Sequence, residues 1–299
     1  MGAYVMTSTS VIAAKYVVIP EDDTVLPPTT SKLIKYITEV SCSGLSKLVR
    51  SKGFLKPLSI SMLFNNNKPL YSVFNPNNQH PLVIRGGVPL TAKVSAVVSN
   101  GSLGIEDFKC IEGCWKTPYG NFNIELAELE IIKTDLLSVG LRKYFKISYL
   151  TPTLITAKYM IPPMLKTRSR ELPERHKLIP QPSFLFSYLL RLWNSIVGPN
   201  EKIPNCSAGD LEAYKLGRLA DITLIEVDYR LRPITVVVGK DDGGRLRTAR
   251  GFTGWVIYES LTPTNKLHST FDKLLALAKY LGVGRSRGIG FGMIDITNL

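Results

Sequence analysis

The segment from which the architecture can be read lies near the end of the 299-residue chain: Gly282-Val283-Gly284-Arg285-Ser286-Arg287-Gly288-Ile289-Gly290-Phe291-Gly292. Closely spaced glycines let backbone N–H groups approach a ligand and adopt positive φ, and successive amides of this kind form a nest for anions. Two arginines lie within this glycine loop, and the guanidinium group suits phosphate. The segment therefore predicts a phosphate-binding loop.

The flanks of the glycine loop give the order of elements around it. Before the loop, Ser269-Thr270-Phe271-Asp272 has the form of a capping box, and apolar residues recur at helical spacing as far as Leu281. After the loop, an extended run reaches Ile296. A dinucleotide-binding loop needs strand, loop and helix, and a Walker A loop needs Gly-Lys followed by Ser or Thr. The pattern disfavours both, and leaves a phosphate nest or a glycine-rich helix C-cap and bulge before an edge strand.

Length and charge indicate the size of the protein and the kind of partner. A chain of 299 residues with 44% hydrophobic residues suits two domains with well-filled cores. Lysine and arginine number 37 against 24 acidic residues, which gives a formal net charge of +13. This excess favours a polyanionic partner such as nucleic acid, although many basic proteins bind none.

The cysteines and the apolar runs bear on compartment and cofactors. Cys42, Cys110, Cys114 and Cys206 are not expected to form a disulfide framework in a chain of this length, and they lack the clustering of a zinc site. We find neither a basic region followed by an apolar core at the start nor an uninterrupted apolar run of membrane-spanning length. We therefore expect a cytoplasmic protein that contacts no membrane and needs no metal or cofactor.

The same order of predicted elements occurs twice along the chain. In the first half we predict strand 13–19, helix 31–40, and strands 58–64, 82–84, 90–98 and 124–132. In the second half we predict a strand from 146, helix 184–197, strands 222–229, 234–238 and 251–259, and helix 271–281. This order predicts an α+β fold of two tandem ferredoxin-like (RRM-like) βαββαβ domains, residues 1–145 and 146–299.

Three further motifs occur in order in the second half: Tyr149-Leu150-Thr151-Pro152-Thr153, Phe186-Ser187-Tyr188-Leu189-Leu190-Arg191-Leu192-Trp193-Asn194, and Gly251-Phe252-Thr253-Gly254-Trp255 followed by the glycine loop. Together they resemble the CRISPR precursor-RNA-processing endoribonucleases of the repeat-associated (RAMP) superfamily. The first half, from Lys15 to about Phe64, is similar to archaeal members, including Leu26-Pro27-Pro28 and the helix with Ser31-Lys32-Leu33-Ile34-Lys35-Tyr36.

The resemblance implies metal-independent cleavage of precursor RNA within a CRISPR repeat. The ribose 2′-oxygen attacks the adjacent phosphorus, and the products are a cyclic phosphate and a 5′-hydroxyl. This reaction needs alignment of the two oxygens, proton transfer and cationic stabilisation of the phosphorane. Many members use a first-domain histidine, but His80, in a polar, proline-flanked turn, is the only histidine of the first half, whereas His176 and His268 lie in the second. The resemblance is therefore to an archaeal branch without that histidine.

The resemblance also implies which residues carry catalysis. The candidates are Lys32, Lys35 and Lys56 in the first domain, with Arg247 or Arg250 in the second. Lys32 and Lys35 share one face of the predicted helix, but any amphipathic helix places its lysines in this way. A lysine that acts as a base needs a lowered pKa, which neighbouring cations favour. Otherwise these lysines hold the phosphate, and we expect a slow enzyme.

By the same resemblance, the glycine loop binds RNA and does not cut it. Arg285, Ser286 and Arg287 are the expected phosphate contacts. The glycines expected to shape the loop are Gly282, Gly284, Gly288, Gly290 and Gly292. The basic segment from Lys166 to Lys177 is open to two interpretations, an RNA grip or a surface loop.

The expected partner is the precursor transcript of CRISPR repeats. The resemblance also allows a homodimer and association with a CRISPR effector complex. A non-catalytic RNA-binding subunit of such a complex is the alternative function, because it shares the fold and the loop, and an unrelated basic nucleic-acid-binding module is a third. The missing first-domain histidine favours the subunit, whereas the three lysines and the two complete halves favour the enzyme.

Overall fold

The protein folds into two α+β domains, each built around an antiparallel sheet. The structure is a computed structural model that describes residues 9–53, 55–77, 80–99, 103–165, 175–204, 209–241 and 243–299. Within these ranges, no helix has both the length and the apolar character needed to cross a membrane.

The first domain is built around β1, which pairs antiparallel with β7 on one side and β9 on the other. Its elements are β1 (Thr9–Pro20), β2 (Thr24–Leu26), α1 (Ser31–Ser41), α2 (Ser43–Arg50), β3 (Leu58–Ile60), β4 (Phe64–Asn65), β5 (Lys68–Pro69), β6 (Leu82–Ile84), β7 (Leu90–Ser99), α3 (Glu106–Lys109), β8 (Gly113–Thr117) and β9 (Gly120–Lys133). The strand order is β5-β4-β7-β1-β9-β8, with β3 also on β7. Helix α1 buries Leu33, Ile34 and Ile37 in the core of this domain.

The second domain has the sheet order β13-β14-β10-β15. Its elements are β10 (Tyr144–Thr153), β11 (Ile155–Thr156), β12 (His176–Lys177), α4 (Pro182–Ile196), α5 (Asp210–Thr223), β13 (Leu224–Lys240), β14 (Leu246–Ser260), α6 (Asn265–Leu281) and β15 (Ile294–Asn298). Helices α4 and α6 supply the core, with Phe186 of α4 against Phe271 of α6 at a centroid distance of 4.3 Å. Numbered within the domain, the order of the four main strands is 2-3-1-4, so the prediction of ferredoxin-like domains is confirmed.

Three helices were not predicted from the sequence, namely α2, the four-residue helix α3, and α5. Helix α2 follows α1 after a single residue, Cys42, and contains serine and glycine, which are weak helix formers. Helix α5 packs mainly small residues against α4, so its apolar periodicity is weak. Ile222 was expected to begin a strand but lies in α5, and the two strands predicted after it form the continuous strand β13.

The last helix also begins earlier than the capping-box pattern predicts. Helix α6 starts at Asn265, because the side-chain hydroxyl of Thr264 accepts a hydrogen bond from Leu267 N at 3.3 Å. Asp272 instead binds the segment that precedes β10. Its carboxylate accepts hydrogen bonds from the backbone N–H groups of Val139 and Leu141, at 3.1 and 2.7 Å.

The two domains are joined by backbone pairing on the outer half of the β13–β14 hairpin. Phe74 N donates to Thr235 O at 2.8 Å, and Val237 N donates to Ser72 O at 3.0 Å. A small apolar cluster lies beside this pairing, formed by the buried residues Met62, Leu154, Val236 and Phe291. The hairpin therefore rests on the first domain and brings its own side chains to the domain junction.

A disulfide joins Cys42 and Cys110, which are separated by 68 positions in the sequence. The expectation against a disulfide framework is corrected at this pair, because α1, α2 and α3 bring the two cysteines together and spacing alone does not reveal that contact. Cys114 is a free, exposed thiol. Cys206 lies outside the described residues.

We predict that replacing Cys42 and Cys110 by serine lowers the free energy of unfolding by about 2 to 4 kcal/mol, because the cross-link restricts the unfolded chain. Urea denaturation with and without reductant measures the loss, and Cys114→Ser is the matched control. Equal stability of the oxidised and reduced wild type would contradict this prediction.

Candidate active site

A cavity of about 410 Å³ lies at the junction of the two domains. Its charged and polar wall comes from both domains: Lys35 and Lys56 from the first, and His176, Arg247, Thr248, Arg285, Ser286 and Arg287 from the second. Gly288 of the glycine loop also lines the cavity. Helix α1, the hairpin β13–β14 and the glycine loop therefore converge on one cationic space.

The glycine loop is fixed by backbone hydrogen bonds to the end of β10. Gly282 has φ of 72° and its N–H donates to Ala278 O at 2.8 Å, so it caps α6. Arg285 N donates to Leu154 O at 2.9 Å, and β15 follows as an edge strand. The C-cap interpretation thus describes the flanks of the loop, while its centre lines the cavity.

The glycines of the loop have different surroundings. A Cβ at Gly290 would lie 2.6 Å from Met62 N, and one at Gly292 would collide with the carbonyl oxygen of Val283. These two glycines permit close backbone packing. At Gly288, by contrast, a Cβ would meet no atom of the described residues within 4 Å, so this glycine is the open position on the cavity wall.

The predicted lysines lie close together at the cavity. Lys35 Nζ is 3.8 Å from Glu39 Oε1, and Lys56 Nζ donates to Val49 O at 2.6 Å. Lys32 lies next to the wall of the cavity. Its Nζ is 2.7 Å from where a Cβ at Gly239 would be, and the neighbouring Val238 lines the cavity. Lys32 and Lys35 are half-buried. The helix face that carries them is therefore not fully exposed to solvent.

Burial and neighbouring cations change the acidity of two of these lysines. Burial lowers the pKa of Lys32, and the charges of Lys35 and Arg247 lower it further. Burial also lowers the pKa of Lys56, assisted by Lys35 and Arg287 and opposed by Glu39. Both ammonium groups therefore release a proton more readily than an exposed lysine does.

The two candidate arginines of β14 differ in their position relative to the cavity. Arg247 is exposed on the cavity wall, near Lys32. Arg250 is also exposed and lies opposite Thr235 of β13, but it is outside the described wall of the cavity. Because the two arginines are three positions apart on one strand, their side chains point to opposite faces.

Arg287 differs from the expectation that it contacts phosphate. Its side chain is only 3% exposed. Nη1 donates to Leu281 O at 3.0 Å and Nη2 donates to Lys56 O at 2.7 Å. Arg285 is half-buried and Ser286 exposed, so these two residues present the accessible polar side chains of the loop.

His176 is a cavity residue that the sequence interpretation missed. It lies on β12 opposite Thr156 and lines the same wall as the lysines, although Nε2 is buried. The other histidines are elsewhere: His80 is exposed, and His268 Nε2 is 2.9 Å from Leu141 O. Residues 166–174 of the basic segment lie outside the described residues. Within the described ranges, no group of three His, Cys, Asp or Glu residues is placed to hold a metal ion.

Two tandem ferredoxin-like domains with a C-terminal glycine loop at their junction define a protein of the RAMP superfamily. Family comparison agrees with this class. A sequence profile described as the Cas6 N-terminal domain matches residues 12–132, and one described as CRISPR-associated endoribonuclease Cas6 matches residues 147–294. The chain belongs to the Cas6 family of CRISPR-associated endoribonucleases.

Individual members of the family are similar to this chain over nearly its whole length. CRISPR-associated endoribonucleases Cas6 1 and Cas6 2 of Saccharolobus solfataricus are each 29% identical, over 94% of this chain and 94% of the relative. The solved structure of Thermus thermophilus Cas6 is similar with a TM-score of 0.60 at 17% identity, covering 98% of this chain and 100% of that one. A further Cas6, solved as a product complex, is similar with a TM-score of 0.60 at 14% identity, covering 96% of this chain and 100% of that one. At these identities, the structural likenesses bear on the fold alone.

Proposed function

We propose that the protein cleaves precursor CRISPR RNA within the repeat, without a metal, by attack of the ribose 2′-oxygen. The product is a mature crRNA with a cyclic phosphate and 5′-hydroxyl ends. The observation that carries this proposal is the convergence of Lys35, Lys56, Arg247 and Arg285 on one cavity between the domains. Side chains of this type supply the cationic stabilisation that a phosphorane requires.

The reaction moves one proton off the 2′-hydroxyl and one proton onto the leaving 5′-oxygen. Lys56 and Lys32 are assigned to the reacting phosphate, because burial lowers the pKa of each and so eases proton exchange. In the ammonium form, either lysine can protonate the leaving oxygen, and in the neutral form it can accept the 2′ proton. Arg247 holds the non-bridging oxygens, and Lys35 adds positive charge. These assignments support the proposal that the protein resembles the archaeal branch that lacks the catalytic first-domain histidine.

The glycine loop is assigned to the RNA backbone. Arg285, Ser286 and the open backbone at Gly288 line the cavity and offer donors to phosphate. Homodimerisation and association with a CRISPR effector complex are further proposals that rest on the family alone.

Cleavage in a chelator tests the proposed chemistry. Purified protein in EDTA is mixed with its cognate repeat RNA, or with the same RNA carrying one 2′-deoxy sugar at the cut site. We expect cleavage of the first RNA alone, with a cyclic phosphate on the upstream fragment. Binding without cleavage of either RNA would favour the non-catalytic subunit, and cleavage of the deoxy RNA would exclude attack by the 2′-oxygen.

We predict that Arg285→Ala weakens binding of repeat RNA and reduces the slope of log affinity against log salt by about one, the loss of one phosphate contact. Fluorescence anisotropy over a range of salt concentrations measures the slope. Arg142→Ala, which removes an exposed arginine outside the cavity, is the control. If both variants change the slope equally, Arg285 has no special contact with RNA.

We predict that Gly239→Ala slows cleavage of bound RNA by about tenfold, because the added methyl displaces the Lys32 amine and misplaced groups lose catalysis steeply. The affinity for RNA is expected to remain unchanged. Gly243→Ala, at the tip of the same hairpin, is the control, since its Cβ meets only Asp241 at an ordinary contact distance of 3.5 Å. A wild-type rate for Gly239→Ala would remove Lys32 from the proposed site.

A further inference from the structure

Arg287 connects the glycine loop to the main chain of a first-domain lysine. Nη2 donates to the carbonyl oxygen of Lys56 at 2.7 Å, and Nη1 donates to that of Leu281 at 3.0 Å, at the end of α6. A single buried side chain therefore spans the last helix of the second domain and the segment that carries Lys56.

The geometry of this contact suits arginine better than lysine. A guanidinium group is a planar fork that can donate to two carbonyl oxygens at once, whereas a lysine ammonium group is a single point charge. Burying a cation costs free energy unless a carboxylate compensates it. Among the described residues, no carboxylate forms an ion pair with Arg287, so its burial is a poor source of stability. The residue is better explained by the geometry that it imposes.

The contact fixes Lys56 relative to the loop. The amine of Lys56 donates to Val49 O at 2.6 Å, and its carbonyl is held by Arg287, so the residue is tied at both ends. The loop also contacts the chain just after β3, through the bridge between Ser61 and Gly290. These contacts fix the position of Arg285, two residues before Arg287, relative to Lys56.

We propose that Arg287 is a positioning residue that holds Lys56 at the cavity from the second domain. This inference rests on the proposed function, because it assigns to Arg287 the placement of a residue that acts on the scissile phosphate. It differs from a phosphate-binding role, since Arg287 acts through Lys56 and does not touch RNA. The charge of Arg287 also faces the Lys56 amine, together with those of Lys35 and Glu39.

A double-mutant cycle tests the proposal with the full-length protein. Arg287→Gln, Lys56→Ala and the double variant are compared for dissociation constant and for single-turnover cleavage of repeat RNA at saturating protein. We expect Arg287→Gln to slow cleavage by at least about tenfold with little change in affinity, because small misplacements of catalytic groups are costly. In the Lys56→Ala background, the same change should cost less than about twofold, because residues that act through one another are not additive.

Several outcomes would overturn the inference. An equal loss of rate in both backgrounds shows that Arg287 does not act through Lys56, and a loss confined to RNA affinity shows a phosphate contact instead. If thermal melting shows that Arg287→Gln is unfolded, Arg287→Lys is used in the same cycle, since it keeps the charge and loses the fork. Failure of the wild type to cleave removes the proposed function and this inference together, whereas wild-type cleavage with additive variants removes this inference alone.

Discussion

Lys56→Ala is expected to slow single-turnover cleavage of repeat RNA by about 10²- to 10³-fold, the usual cost of removing one donor that stabilises a charged transition state. The loss should appear in the rate at saturating protein, while the dissociation constant changes little. Lys68→Ala is the matched control, because it removes an exposed lysine of the same domain away from the cavity. Equal rates for the two variants would contradict a catalytic role for Lys56.

The pH dependence shows which form of Lys56 acts. Because its pKa is lowered, the ammonium form is present below that pKa and is lost as pH rises, earlier than for an ordinary lysine near 10.4. If the ammonium form acts, the rate falls on the alkaline side and Lys56→Arg moves that fall to higher pH. If the neutral amine is the base, the rate rises through the same pKa, and Lys56→Arg is as slow as Lys56→Ala.

Gly292→Ala is expected to lower the free energy of unfolding by about 2 to 4 kcal/mol, since it combines a left-handed backbone with a steric collision. Gly292 has φ of 72°, and its added methyl would collide with the carbonyl oxygen of Val283. The loop must then open, so RNA affinity should fall as well. Urea denaturation and RNA anisotropy measure the two effects.

Gly288→Ala is the matched control within the same loop. Its methyl meets no atom of the described residues within 4 Å, so stability should change by less than about 0.5 kcal/mol. Because the methyl enters the cavity, RNA affinity should still fall. If Gly292→Ala is as stable as Gly288→Ala, the loop is not held by the close backbone packing described above.

The fold was predictable because the spacing of apolar residues indicates each strand and helix locally, and their order repeats along the chain. What periodicity could not predict depends on contacts between distant residues. Helix α5 buries small residues against α4, and Thr264 begins α6 earlier than the Ser269 pattern indicates. The pairing of Cys42 with Cys110 likewise requires three helices to be placed first.

The candidate site was predictable only in part. Lys35, Lys56 and Arg247 were chosen by resemblance, and they lie on one cavity wall. Arg285 and Arg287 both lie beside Ser286, yet Arg287 is buried and Arg285 is only half-buried. Ser286 between them has a left-handed backbone with φ of 64°, and sequence periodicity does not reveal this turn. His176 gave no local signal, because its place on the wall depends on the pairing of β12 with β11.

The central proposal is that the first-domain lysines cut while the glycine loop binds. Measuring both the dissociation constant and the saturated single-turnover rate for Lys56→Ala and Arg285→Ala tests it most directly. We predict that Lys56→Ala loses rate at nearly unchanged affinity, and that Arg285→Ala loses affinity at a nearly unchanged saturated rate. Parallel losses of rate and affinity in both variants would contradict this division between the two domains.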